Sequence, residues 1–333
     1  MAPRLPTPTD VLAARERLRG IAIETPLEPA PALAAASGAA EVRLKLEALQ
    51  PTGSFKIRGA HNKLAILAAA RAAGNEPTLP VVTASTGNHG IAIAHAAQRY
   101  GMTATILVGR DISPAKLEWL RSIETDAITV ELAGRDYDEA EAEARRREQL
   151  GAAVYAAPYN DADVIAGQGT IGLEILEAWP ECDAIVVPIG GGGLIAGIGT
   201  WVKALKPELR LVGVQPSASP PMYVYFETGS AKPVPIAPTL ADGVSGNIER
   251  GSITWTLCRR LVDSVMLVEE DELVDAMRWA TDQQRVLLEA SAVLGIALLL
   301  KGRDASLEGR RVAVLCTGRN VDGQIVRRVL GGA

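Results

Sequence analysis

Residues Ala184–Leu205 read AIVVPIGGGGLIAGIGTWVKAL: a β-branched run, four consecutive glycines, then an apolar stretch with helical spacing. A strand that passes through glycines directly into a helix is the repeating unit of a parallel α/β sheet. The rhythm recurs outward in both directions. Pro80 to Thr83 precedes a helical stretch through Tyr100, Thr103 to Val108 precedes Ser113 to Ile123, Leu209 to Val214 follows the quoted unit, and Arg311 to Cys316 precedes a short last helix. These runs predict a twisted, mostly parallel sheet of α/β class. Ser113 and Pro114 look like a cap and first turn, and Gly101, Gly151 and Gly302 like helix stops.

Composition narrows the class. With 333 residues and 48% hydrophobic content, the chain can bury a large core, in one large or two interleaved domains, and only 4% of residues are aromatic. The net charge of -5 comes from mixed signs with no basic stripe, which argues against nucleic acid and anionic lipid and for a small-molecule substrate. Cys182, Cys258 and Cys316 lie far apart, so neither a disulfide framework nor a zinc site is expected. The first ten residues carry three prolines and no apolar signal core, and the greasy run Ala292 to Leu300 is too short to cross a bilayer. A cytoplasmic protein is expected. The stretch Asp136 to Leu150 reads as a solvated helix without chemistry, the five tryptophans as packing residues, and Ser217 to Gly251 as one long irregular segment.

Three motifs carry chemistry. Gln50–Ala60, QPTGSFKIRGA, places Lys56 in a glycine-flanked turn between a strand-like KLEAL run and a helix starting near Ile57. A lysine becomes a nucleophile when desolvation or a neighbouring cation lowers its pKa, and Arg58 is the expected cation. Alone, it would pass for a surface lysine. Ala84–Gly90, ASTGNHG, opens a helix with small hydroxylated residues whose free N–H groups suit a carboxylate. Alone, it would pass for a helix cap. In Pro188–Gly197, PIGGGGLIAG, glycines let backbone amides approach a phosphate at a helix N-terminus. A dinucleotide site fits less well, because the following strand ends at Gln215 and not at an acidic residue. A Walker loop fails for want of the Gly-Lys-Ser/Thr ending.

Together and in this order, the motifs resemble those of the fold-type II pyridoxal 5′-phosphate (PLP) enzymes, the tryptophan synthase β-like group, nearest to threonine/serine dehydratases and serine racemase. The likeness continues in ADGV at Ala241–Val244, in Leu267–Leu273, in Glu289 with Ser291 and Ala292, and in VLCTGRNVD at Val314–Asp322. It implies two three-layer α/β/α domains with mostly parallel twisted sheets. The smaller, 56–155, would be inserted in the larger, 1–55 and 156–333, with Lys56 at the interface.

By that resemblance Lys56 would form the Schiff base with PLP, Phe55 would pack beside the ring, and Asn88 would bond its 3′-oxygen. Gly190, Gly191, Gly192 and Gly193 would cradle the phosphate, Glu289 would belong to the cofactor site, and Thr317 would face the pyridine nitrogen. Ser85, Thr86, Gly87 and His89 would line the substrate carboxylate pocket. A hydroxyl facing the nitrogen leaves the ring neutral, a weaker electron sink that favours prompt elimination over transamination.

The implied activity is that of a lyase converting a β-hydroxy-α-amino acid to a 2-oxo acid and ammonia. Its substrate would be threonine, serine or a larger 3-hydroxy amino acid, such as a phenylserine-like or hydroxyectoine-derived one. A racemase or a β-replacement enzyme is the alternative. Thr86 stands where serine racemases carry a catalytic serine, which tilts the reading toward elimination. Gln215 replaces the acidic residue of metal-activated relatives, so no metal is expected there. Arg319 replaces a glycine, which predicts a reshaped pocket. A homodimer is the usual state in the family, and His61, His95 and Cys316 read as structural.

Overall fold

The computed structural model describes residues 3–331. Ten strands fall into two sheets among them: β1 Leu27–Pro29, β2 Glu41–Lys45, β3 Val81–Ala84, β4 Ala104–Val108, β5 Ile128–Leu132, β6 Val154–Tyr155, β7 Ala184–Pro188, β8 Arg210–Pro216, β9 Ser264–Val268 and β10 Arg311–Leu315. The larger sheet has the order β1-β2-β10-β7-β8-β9 and the smaller β5-β4-β3-β6. Every pairing is parallel except that of β1 with β2.

Helices cover both faces of the larger sheet, which is why its central strand β7 is apolar and buried at every position and why the middle of β10 is apolar too. In β7 the side chains alternate between two cores. Val186 packs with Leu44, Val212 and Val314 on one face, and Ile185 and Val187 pack with Leu211 and Leu315 on the other. The smaller sheet repeats the pattern, with Val81 and Ile106 on one face and Val82 and Leu107 on the opposite one.

Four strands escaped the sequence reading, β1, β5, β6 and β9, and all four are sheet edges. Burial on one side only breaks up the hydrophobic run that betrays a central strand. Two other expectations need correction. The KLEAL run is strand only to Lys45; Glu47–Leu49 is a 3-10 turn, drawn inward because the buried Glu47 carboxylate receives Thr25 and Arg58. The supposedly irregular stretch from Ser217 to Gly251 contains the helix Pro221–Thr228. Its prolines sit at the helix start, where their missing N–H is no loss. Gln215 then caps it, the side-chain oxygen accepting from Met222 and Tyr223 N–H, each at 2.9 Å.

Helix Lys56–Ala72 crosses helix Ala162–Ala178 at close range. A Cβ on Gly59 would lie 2.8 Å from the Val164 carbonyl, and one on Gly167 2.7 Å from that of Arg58. The crossing sets the first residue of the helix, Lys56, at the cleft bordered by the loops that follow β3, β7 and β10. No helix of the described residues is long and apolar enough to cross a membrane.

Candidate active site

The turn that carries Lys56 is joined to the loop after β10. Phe55 N–H donates to the Thr317 carbonyl at 3.1 Å, Arg319 N–H to that of Gly53 at 3.0 Å, and Ser54 bridges Gly318. Gly53 takes φ +75°, in the left-handed region open to glycine. The Lys56 amine then extends into a cavity of about 660 Å³, donates to the Pro158 carbonyl at 2.9 Å, and sits 5.3 Å from the centre of the Phe55 ring. Burial lowers its pKa to about 8, and the Glu289 carboxylate offsets part of that shift.

Arg58 does not supply the effect expected of it. Its guanidinium is buried in ion pairs with Glu47 at 2.8 Å and Glu174 at 2.5 Å, so its charge is neutralised within a separate cluster that also holds Lys45. Desolvation alone lowers the Lys56 pKa.

Two amide cradles face the cavity. The N–H groups of Gly190, Gly191, Gly192 and Gly193 reach no backbone acceptor, and they stand at the start of the 13-residue helix Gly193–Leu205. Gly192 has φ +85°, and a Cβ on Gly191 would fall 2.3 Å from the Tyr159 ring. The second cradle opens helix Asn88–Arg99, where the N–H groups of Thr86, Asn88 and His89 also lack a backbone acceptor. Ser85 shapes this loop: its hydroxyl accepts from Gly87 N–H at 3.2 Å and Gly90 N–H at 2.9 Å. Thr86 lines the cavity beside it.

His89 is buried, its Nε2 3.0 Å from the Ala156 carbonyl and its Nδ1 without a partner. Burial, with the charge of Lys56, pushes its pKa down to about 3 and keeps the imidazole neutral. Asn88 donates to Glu289 at 2.9 Å, and burial pushes the Glu289 carboxyl up to about 7. Thr317 lines the same wall.

The cavity therefore collects every residue expected to touch cofactor or substrate, Phe55, Lys56, Ser85, Thr86, Gly87, Asn88, His89, the four glycines, Glu289 and Thr317, but not Arg58. It also recruits residues that local patterns do not reveal. Trp119, read as a packing residue, is 38% exposed and lines the cavity, as do Tyr137 at the start of the acidic helix read as carrying no chemistry, Tyr159 and Asn320. Lys116 forms an ion pair with Asp242 at the cavity wall. His61 and His95, read as structural, meet at 2.7 Å.

The lining suits PLP. An amine of lowered pKa can be captured by an aldehyde, free N–H groups at a helix start suit a phosphate, and buried Ser291 Oγ, Gln168 Oε1 and His89 Nδ1 lack protein partners while lining the cavity.

A family model described as pyridoxal-phosphate dependent enzyme matches residues 18–318. The L-threonine ammonia-lyase of Thermotoga maritima is 38% identical over 321 residues, 96% of this chain and 77% of that protein. The phenylserine dehydratase of Ralstonia pickettii is 35% identical over 334 residues, 98% of this chain and 97% of that one. Among solved structures, maize serine racemase superposes with a TM-score of 0.87 at 30% identity, covering 98% of each chain.

Proposed function

The chain belongs to the pyridoxal-phosphate dependent enzyme family and is a PLP-dependent lyase, and on that premise we propose that it removes water and then ammonia from a β-hydroxy-α-amino acid with a side chain larger than that of serine. The observation that carries the reading is the Lys56 amine, buried, lowered to about pKa 8 and set between two cradles of free N–H groups.

When bound, PLP supplies a carbonyl that captures the substrate amine and a conjugated ring that accepts the electron pair left at Cα. In this assignment Lys56 Nζ takes the Cα proton, because an amine of pKa about 8 is available in free form near neutral pH. The N–H groups of Thr86, Asn88 and His89 hold the substrate carboxylate, and those of Gly190 to Gly193 hold the phosphate. Asn88 donates to the ring oxygen and Thr317 to the ring nitrogen. The proton taken from Cα balances the one with which hydroxide leaves Cβ as water, and the enamine, once released, takes up one water to give the 2-oxo acid and ammonia. The aromatic faces of Trp119 and Tyr137, in a cavity of about 660 Å³, favour a bulky or aryl side chain.

The test is 2-oxo acid release from serine, threonine, threo-phenylserine and 3-hydroxyaspartate. Oxo acid from threonine or phenylserine is the expected outcome. A change of chirality with no oxo acid would replace this reading by a racemase.

A further inference from the structure

We propose that Asn320 is the positioning residue that forces Asn88 to present an N–H donor, and never its carbonyl, to the cofactor's ring oxygen. The Thr52 backbone carbonyl can only accept a hydrogen bond. The Asn320 amide nitrogen donates to it at 2.9 Å. That contact fixes which end of the Asn320 amide is which, and the second hydrogen on the same nitrogen goes to Asn88 Oδ1 at 2.6 Å.

The Asn88 oxygen is thereby engaged, so its NH₂ must face the opposite way. There it meets the Glu289 carboxylate, at 2.9 Å from one oxygen and 3.2 Å from the other. An isolated asparagine turns its amide over with little penalty. Here the whole chain of donors would have to reverse against a carbonyl that cannot donate.

Gly53 is part of the device. A Cβ on it would lie 2.4 Å from Asn320 Oδ1, so a glycine in the turn before Lys56 makes room for the Asn320 side chain. Asn320 lies two residues past Gly318, whose antiparallel bridge to Ser54, continued by the bond from Arg319 N–H to the Gly53 carbonyl, keeps it beside the turn it supports. Through this link the lysine turn and the ring-oxygen donor are held by one side chain.

The inference rests on the assignment of Asn88 to the ring oxygen. It is tested by stripping the full chain of PLP and titrating it back, following the visible absorption band and tryptophan fluorescence. Asn320→Asp keeps the shape and removes both donors, and Asn320→Ala removes them without adding charge. Each should weaken PLP binding roughly tenfold or more, the scale of one hydrogen bond to a charged group. Each should also shift the pH midpoint of the visible band.

The discriminating measurement repeats both variants in an Asn88→Ala background, where a residue acting through Asn88 has nothing left to position. There each Asn320 variant should change PLP affinity less than twofold. Losses that add in the double variants, or an unchanged affinity and band in the single ones, overturn the inference. If Asn88→Ala itself binds PLP as the parent does, the assignment of Asn88 falls and the positioning role with it. None of these readouts depends on which amino acid the enzyme consumes.

Discussion

Lowering the pKa of one lysine should make it stand apart from every other lysine of the chain in its reaction with acylating reagents. An ordinary lysine of pKa 10.5 is a free amine in roughly one molecule in 3,000 at pH 7, whereas Lys56, at about 8, is free in roughly one in ten. Its free-amine fraction at pH 7 should thus exceed that of an ordinary lysine by about 300-fold, and its acylation rate by a smaller factor, because a less basic amine is a weaker nucleophile and the cavity walls limit access. The sign follows from burial: desolvation disfavours the ammonium, so the free amine accumulates as pH rises and levels off above about 8. Competitive acetylation of the cofactor-free protein between pH 6 and 10, read by peptide mass spectrometry, gives the midpoint for Lys56 directly. Glu289→Gln removes the carboxylate that favours the ammonium, so the midpoint should fall further. A Lys56 reactivity that climbs tenfold per pH unit up to pH 10 would refute the reasoning, as would a midpoint that rises in Glu289→Gln.

Three further outcomes follow from the same geometry. Arg58→Met leaves the buried Glu47 and the nearly buried Glu174 without their guanidinium; it should lower stability by about 3–5 kcal/mol in urea unfolding, and a loss below about 1 kcal/mol would contradict the buried-cluster account. Gly191→Ala drives a Cβ into the Tyr159 ring, so the glycine loop must shift and PLP affinity should fall at least tenfold while the protein stays folded; an unchanged affinity contradicts the cradle. Because His89 has a folded pKa of about 3 and an ordinary unfolded one, the unfolded chain binds more protons as pH falls below about 6.5. Stability is lost in that direction, about 2 kcal/mol of it between pH 7 and pH 5, and His89→Gln should remove that share of the slope in unfolding measured at the two values.

How far the sequence could be read depended on the distance over which each interaction is encoded. The glycine loop at Gly190–Gly193 and the ASTGNHG turn announce themselves because the strand, the amides and the helix start are contiguous. Central strands such as β7 are legible for the same reason, since burial on both faces makes each residue apolar, while the edge strands β1, β5, β6 and β9 are not. Arg58 misled because its two carboxylate partners are 11 and 116 residues away. Trp119 gave no local sign that it would border the cavity, and Asn320 was quoted within a motif with no role, because its function is a contact with residues 268 and 232 positions distant.

The central claim is that one nitrogen, Lys56 Nζ, carries the cofactor. Reduction of the purified, PLP-loaded protein with borohydride followed by peptide mapping tests it without reference to substrate. A phosphopyridoxyl adduct confined to Lys56 is the predicted result, and an adduct on any other lysine, or none at all, would contradict it.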